Sequence, residues 1–271
     1  INWNDKVTNI KEIAQELNIG TDSLVFVDDD PLNREMVKSE FPEVLVVDLP
    51  EDPALYLSTM QNVNDFNTLQ ITNEDKNKGK MYVKQRQRKD YQKEFTNVTE
   101  YLARLEIEVT IEEATPFTIP RLSQLTQKTN QYNMTTRRYT EEDIRSFAEQ
   151  GGCRVISLSI KDKFGDNGLT GMCILKKDDS IWEIDSWLLS CRIIGRKIED
   201  VFLAYVLEEA KKINVTILRG IFIPSQKNHP AQSFFKDHGF QYIETKDTAE
   251  YWEYDVDKDY LYPTFIKLIR K

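Results

Sequence analysis

Histidine and cysteine are scarce in this sequence of 271 residues, with two of the first and three of the second. Cys153, Cys173 and Cys191 are far apart, odd in number and unaccompanied by histidine pairs. That pattern excludes a disulfide framework and a cysteine–histidine zinc site, and it points to a reducing, cytoplasmic setting. No apolar run approaches the roughly 20 residues that span a bilayer, so no membrane segment or membrane partner is expected. Basic residues are the minority, 36 against 45 acidic, for a net charge of −9. General affinity for nucleic acid is therefore not expected. There is no initiating methionine or signal sequence before Ile1, which reads as a piece of something longer. What is present, 40% hydrophobic and 30% charged residues, is the composition of a globular protein with one large or two ordinary domains.

The chain is organised around the stretch from Ile181 to Lys212. Its first block is apolar, aromatic-rich and of strand length. Its last block sets Ile198, Val201, Phe202 and Tyr205 at helical spacing. Between them lies a turn holding Arg192, Gly195, Arg196 and Lys197, opening onto a helix N-terminus. Free backbone N–H groups and a partial positive charge there suit a phosphate or pyrophosphate. Cys191, just before the turn, stands where a thiolate would feel the same field. An ordinary strand-to-helix connection with a buried cysteine is the alternative.

Residues 4–50 read as helix, strand, helix, strand. Ile10, Ile13, Ala14 and Leu17 line one helical face, closed by Gly20, and Ser23–Val27 is a short strand ending in Asp28-Asp29-Asp30. Pro31 starts a second helix, and Val44–Val47 is a further buried-type strand. Alternating elements with apolar strands predict a parallel sheet covered by helices. Paired carboxylates at a strand's carboxyl end suit a hard cation such as Mg²⁺, while Asp30 alone would serve as a helix N-terminus. From Glu51 to Glu106 the chain turns polar and charged and reads as a helical connector, with Thr72 and Asp75 resembling a helix start. Its Lys/Arg density is a solvated helix face.

The remainder reads as strand, two helices, three strands, helix, strand, helix, two strands. The polar string Asn130-Gln131-Tyr132-Asn133-Met134-Thr135-Thr136-Arg137-Arg138-Tyr139 joins the first two helices, and Thr140 caps the second. That element order resembles the acetyltransferase fold of the GNAT type. Arg192-Ile193-Ile194-Gly195-Arg196-Lys197 resembles the pyrophosphate loop of that family, with Lys197 in place of the usual small residue. Asn228, Ala231, Phe234, Phe235, Gly239 and Phe240 resemble the segment that flanks a pantetheine arm, which implies Asn228 as a contact of that arm. In the first part, Leu24–Asp29 with Asn33 resembles the fourth motif of haloacid-dehalogenase (HAD) phosphatases. Lys6 stands where that superfamily keeps its phosphate-holding lysine. Its nucleophile motif, Asp-x-Asp on a preceding strand, is missing.

The expected fold class is therefore α/β: a partial HAD-like (Rossmannoid) parallel-sheet unit plus a GNAT-like mixed domain. The expected divisions are 1–65, a helical connector 66–105, and 106–271. Taken together, these parts resemble the FkbH-like glyceryl transferase/phosphatase family of polyketide extender-unit (methoxymalonyl-type) synthesis. Residues 127–139 and the pattern Ser190-Cys191-Arg192, Gly195-Arg196, Glu199 carry the match. The resemblance implies glyceryl transfer from 1,3-bisphosphoglycerate, with dephosphorylation, through an enzyme thioester to the phosphopantetheine arm of an acyl carrier protein. It implies Cys191 as acceptor thiol, Lys6 as phosphate holder and Asp28 and Asp29 as metal-site residues. It also implies coenzyme A or a carrier-borne arm at Arg192, Gly195, Arg196, Lys197 and Asn228. Asn130, Gln131, Asn133, Thr135 and Thr136 supply hydrogen bonds of the kind a polyol needs, and Arg137 and Arg138 fork onto phosphate or carboxylate. Two alternatives differ in class: an acyl-coenzyme A N-acyltransferase, with Glu183 or Asp185 as base, and a non-catalytic docking module indifferent to Cys191.

Overall fold

The computed structural model describes residues 3–17, 19–67 and 73–271. The chain divides into two compact units, Ile1–Arg86 and Gln87–Lys271.

In the first unit, α1 (Lys6–Leu17), β1 (Val25–Val27), α2 (Pro31–Glu40) and β2 (Leu45–Val47) follow the expected order. The two strands pair in parallel, Val25 with Leu45 through Val27 with Val47. Asp30 is the N-cap of α2, its carboxylate accepting the Leu32 N–H at 2.9 Å, and Pro31 opens the helix. Ile10, Val37, Phe41 and Val44 form a small core. Ile13, expected on the buried face of α1, is instead 47% exposed, because only the stripe through Ile10 and Ala14 finds a partner. A short helix α3 (Tyr56–Gln61) follows. The long α4 (Asn73–Gln92) contains the division between the units, and Thr72 lies outside the described residues.

The second unit continues with α5 (Val98–Arg104), β3 (Glu108–Glu113), α6 (Ile119–Lys128), α7 (Glu141–Glu149), β4 (Cys153–Asp162), β5 (Gly165–Asp178) and β6 (Ile181–Leu189). Then come α8 (Ile198–Lys212), β7 (Ile217–Phe222), α9 (Phe234–Asp237), β8 (Gln241–Lys246), β9 (Ala249–Asp255) and β10 (Lys267–Arg270). The eight strands form one mixed sheet in the order β10-β3-β4-β5-β6-β7-β9-β8. From β3 to β9 this is the GNAT-like element order expected from the sequence; β10, parallel to β3 at the far edge, is an addition. The chain is thus an α/β protein with a small parallel sheet and a GNAT-like mixed sheet.

Both faces of the mixed sheet are covered, so even Ser157 of the alternating β4 is fully buried. On one face α6 and α7 enclose Leu122, Leu125, Ile144, Met172, Ile174 and Leu188. The capping box of Thr140 and Asp143 starts α7 there. On the other face α8 is buried along most of its length, Val201, Phe202 and Val206 included, against Trp182, Trp187 and Phe235.

The decisive feature for the site is a divergence within the sheet. The parallel pair β6 and β7 is bonded only from Ile181–Ile184 to Ile217–Gly220. Asp185 is the extra residue of a bulge, since Ile184 and Ser186 oppose consecutive residues of β5, and beyond it the two strands part.

Candidate functional site

The gap between the diverging strands holds a piece of the chain itself. The Met134 N–H donates to the Trp187 carbonyl at 3.1 Å, and the Leu189 N–H donates to the Tyr132 carbonyl at 2.9 Å. Asn133 bridges Leu188 in antiparallel fashion. On the other side the Ile223 N–H, just past β7, donates to the Met134 carbonyl at 2.8 Å. Tyr132–Met134 therefore behaves as a short extra strand.

Several side chains expected to meet a ligand hold this segment in place instead. Asn228 is fully buried, and its amide donates to the carbonyls of Asn133 at 3.0 Å and Ile223 at 2.9 Å. Its own Oδ1 accepts the Ser225 N–H at 2.8 Å. Asn133, also fully buried, donates to the Thr129 carbonyl and accepts the Thr136 N–H. The Thr135 hydroxyl donates to the Asp185 carbonyl at 3.0 Å. Arg138 closes the C-terminal end of α6 through the carbonyls of Thr126 and Thr129 and the side chain of Asn130. Asn133, Thr135 and Asn228 are buried and paired internally, as buried polar groups must be, so these three serve the fold's own bonding where ligand contact was expected; Arg138 makes its bonds while staying exposed. Asn130, Gln131, Thr136 and Arg137 keep partial exposure.

Asp185, at the bulge, is the centre of a second cluster. Its Oδ1 lies 2.5 Å from both Arg137 Nη1 and Lys176 Nζ, and its Oδ2 accepts the Tyr139 hydroxyl at 2.5 Å. Burial first, and then this bond to a carboxylate, push the Tyr139 hydroxyl pKa upward. With both oxygens already accepting, Asp185 is poorly placed to take a proton from an amine. Lys176 had no distinguishing signal in the sequence, whereas Tyr139 closes the polar string that carries the resemblance.

The turn from β6 to α8 places Cys191 at the start of a short 3₁₀ segment, partly exposed, with Arg192 Nε 3.3 Å from the Ser190 hydroxyl. Gly195 is open to solvent at φ 79°. Lys197, the N-cap of α8, adopts the left-handed φ of 63°, which explains why a small residue is the easier choice there. Arg196 points inward. It is 5% exposed, 3.1 Å from Asp162, and also donates to the Arg192 carbonyl. Arg88 grips the same Asp162 with two bonds of 2.6 and 2.9 Å. Burial, and then the neighbouring Arg88, push the Arg196 pKa down to about 10. The first turn of α8 carries Glu199 and Asp200, and one oxygen of each is buried without a hydrogen-bond partner, that of Asp200 lying 3.7 Å from Lys197 Nζ. The positive end of this helix thus meets its own carboxylates.

In the first unit Lys6 Nζ lies 3.2 Å from Asp28. Asn33 and the Asp30 N–H also bind Asp28, at 3.2 and 3.0 Å, and Arg34 straps the carbonyls of Asp28 and Asp29. Burial alone would raise the Asp28 pKa, but the Asp30 N–H, Asn33 and Lys6 together hold it below the usual carboxylate range. Among the described residues no three acidic, histidine or cysteine side chains converge. Two carboxylates, one of them engaged on three sides, do not fit a Mg²⁺ site, which takes more oxygen ligands.

Of the three cysteines, Cys173 is fully buried and burial raises its thiol pKa well above the ordinary value. Cys153, expected to be a packing residue, is partly exposed at the first position of β4.

No family model matches the sequence, and no curated protein does. Among solved structures the chain is similar to the ribosomal-protein-S18-alanine N-acetyltransferase of Escherichia coli. There the TM-score is 0.44 at 12% identity, over 56% of this chain and 96% of that one. It is also similar to a domain from Methanocaldococcus jannaschii, with a TM-score of 0.45, 13% identity and coverage of 55% and 99%. A different portion of similarity is to the N-terminal part of protein BF1531 from Bacteroides fragilis, a phosphatase-domain structure complexed with Mg. That match has 47% identity and a TM-score of 0.25, and it spans 26% of this chain but only 19% of that one.

Proposed function

We propose that the chain is an acyl-transfer protein in which Cys191 takes a glyceryl group from an acyl phosphate, 1,3-bisphosphoglycerate, and passes it to the phosphopantetheine thiol of an acyl carrier protein. The observation that carries this reading is the setting of Cys191: a partly exposed thiol ending the central strand, between Ser190 and Arg192, at the turn into α8. The sequence patterns around it and in residues 127–139 support the same reading. In the first step the Cys191 sulfur, as thiolate, attacks the acyl carbon. The bond from that carbon to the phosphate oxygen breaks, and phosphate leaves with the electron pair. In the second step the carrier's thiolate attacks the thioester carbon and the Cys191 sulfur departs. Arg192, Lys197 and Arg137 are the partly exposed cations available to the leaving phosphate and the glyceryl phosphate. Both steps keep the carbon-3 phosphate ester on the transferred group; its hydrolysis needs a phosphatase nucleophile and water, which Asp28 and Asp29 do not supply, so it is a separate step.

The N-acyltransferase reading is the alternative: of its two candidate bases, Asp185 has both oxygens engaged, while Glu183 on the same strand is partly exposed. The test is mass mapping after incubation with 1,3-bisphosphoglycerate. A hydroxylamine-sensitive 3-phosphoglyceryl mass is expected on the peptide bearing Cys191, becoming a glyceryl mass where the remaining phosphate ester is hydrolysed, and Cys191→Ser should lose both that adduct and loading of the carrier protein. A Cys191→Ser variant that loads the carrier at the wild-type rate makes the thiol structural and the covalent route wrong.

A further inference from the structure

We infer that the gap between β6 and β7 is a closed part of the fold, filled by Tyr132–Met134, and that this protein does not hold coenzyme A between those strands. The sequence resemblance leads to the opposite expectation, of an arm lying beside Asn228. Three independent features disagree with it. The first is the backbone: the Trp187 carbonyl, the Leu189 N–H and the Ile223 N–H, which an extended ligand would need, are already bonded to Met134 and Tyr132. An extended amide chain in the gap would have to replace every one of these bonds.

The second feature is how the segment is anchored. Asn133 and Met134 are fully buried and Tyr132 is 7% exposed. The Tyr132 ring packs edge-on against Phe234, with centroids 6.1 Å apart. The Asn228 amide donates to Asn133 and Ile223, so the group expected to hold the arm holds the chain's own carbonyls. Expelling the segment would move a buried aromatic and a buried methionine into water and remove one of the two acceptors of the Asn228 amide.

The third feature is charge at the mouth of the gap. A diphosphate arriving at the first turn of α8 meets Glu199 and Asp200, which the helix end already accommodates. Arg196, expected to receive it, is turned onto Asp162. These carboxylates offset the positive charge that Arg192 and Lys197 keep at the same turn, Lys197 lying 3.7 Å from Asp200, and the withdrawn Arg196 adds none, which acts against a diphosphate.

Hydrogen–deuterium exchange of the full chain, paired with calorimetry against coenzyme A, tests this. The peptides covering 132–134, 187–189 and 223 should exchange at least about a hundredfold more slowly than unstructured chain. They should stay protected at millimolar coenzyme A. No binding with protection retained supports the inference. Saturable binding with protection retained also supports it, because the ligand then sits elsewhere. Saturable binding that deprotects 132–134 overturns it, and so does fast exchange of 132–134 without ligand. These readouts do not involve Cys191, so failure of the acyl-transfer reading leaves them standing, and the reverse holds too.

Discussion

The side-chain amide of Asn228 donates to the main-chain carbonyl of Asn133, 3.0 Å away and 95 positions earlier in the sequence. The same amide also bonds the Ile223 carbonyl, so one buried group ties the segment in the gap to the loop that follows β7. Asn228→Ala leaves two buried carbonyls and the Ser225 N–H without that partner. Each such loss costs about 1–3 kcal/mol, and the expected total is about 3 kcal/mol. Urea unfolding should show a lower midpoint. A midpoint shift within the error of a surface substitution would argue that solvent already reaches these carbonyls.

Asp162 sits between two buried arginines, Arg88 and Arg196, and is itself inaccessible. Removing the carboxylate strands two guanidinium groups in the protein interior. Asp162→Ala is therefore expected to destabilise the second unit by about 3–5 kcal/mol. Arg88→Met leaves Asp162 still paired with Arg196 and should cost less. Thermal unfolding of the two variants ranks them, and equal cost would mean the three charges do not act as one network.

In the first unit the Asp28 carboxyl has its pKa lowered in the folded state. Its protonated form is therefore disfavoured in the fold relative to the unfolded chain. The contribution to stability is fully present above the ordinary aspartate pKa of about 3.9 and is lost as pH falls through the lowered folded value. The difference in urea midpoint between the protein and Asp28→Asn should be constant from neutral to mildly acidic pH and then shrink. A difference that persists unchanged at the acid end would assign the effect to the shape of the side chain and not its charge.

Gly220 closes the paired part of β6 and β7, and a Cβ there would stand 2.2 Å from the ring of Phe235. That ring cannot retreat, because Phe234, Phe240 and Trp252 surround it. Gly220→Ala is expected to cost about 1–3 kcal/mol by overpacking. Adding Phe235→Leu should recover part of that cost, giving a non-zero coupling in a double-mutant cycle. Strictly additive costs would show that the backbone, not the ring, absorbs the added methyl.

The order of elements was legible in the sequence because it depends on local pattern. Ile156, Leu158 and Ile160 alternate along β4, Thr140 caps α7, and Asp30-Pro31 starts α2. The turn before α8 was also correctly located, and so was the unusual position of Lys197, since a left-handed φ is a property of a single residue. The destinations of side chains were not legible. Arg88 and Asp162 are 74 residues apart, and Arg137 reaches Asp185 across 48. Either arginine could equally have faced a ligand in water. Least legible of all was the occupant of the β6–β7 gap, because backbone donors and acceptors carry no residue identity. Whether the Trp187 carbonyl bonds a cofactor or Met134 depends on which groups the folded chain brings within 3 Å, and only the tertiary structure decides that.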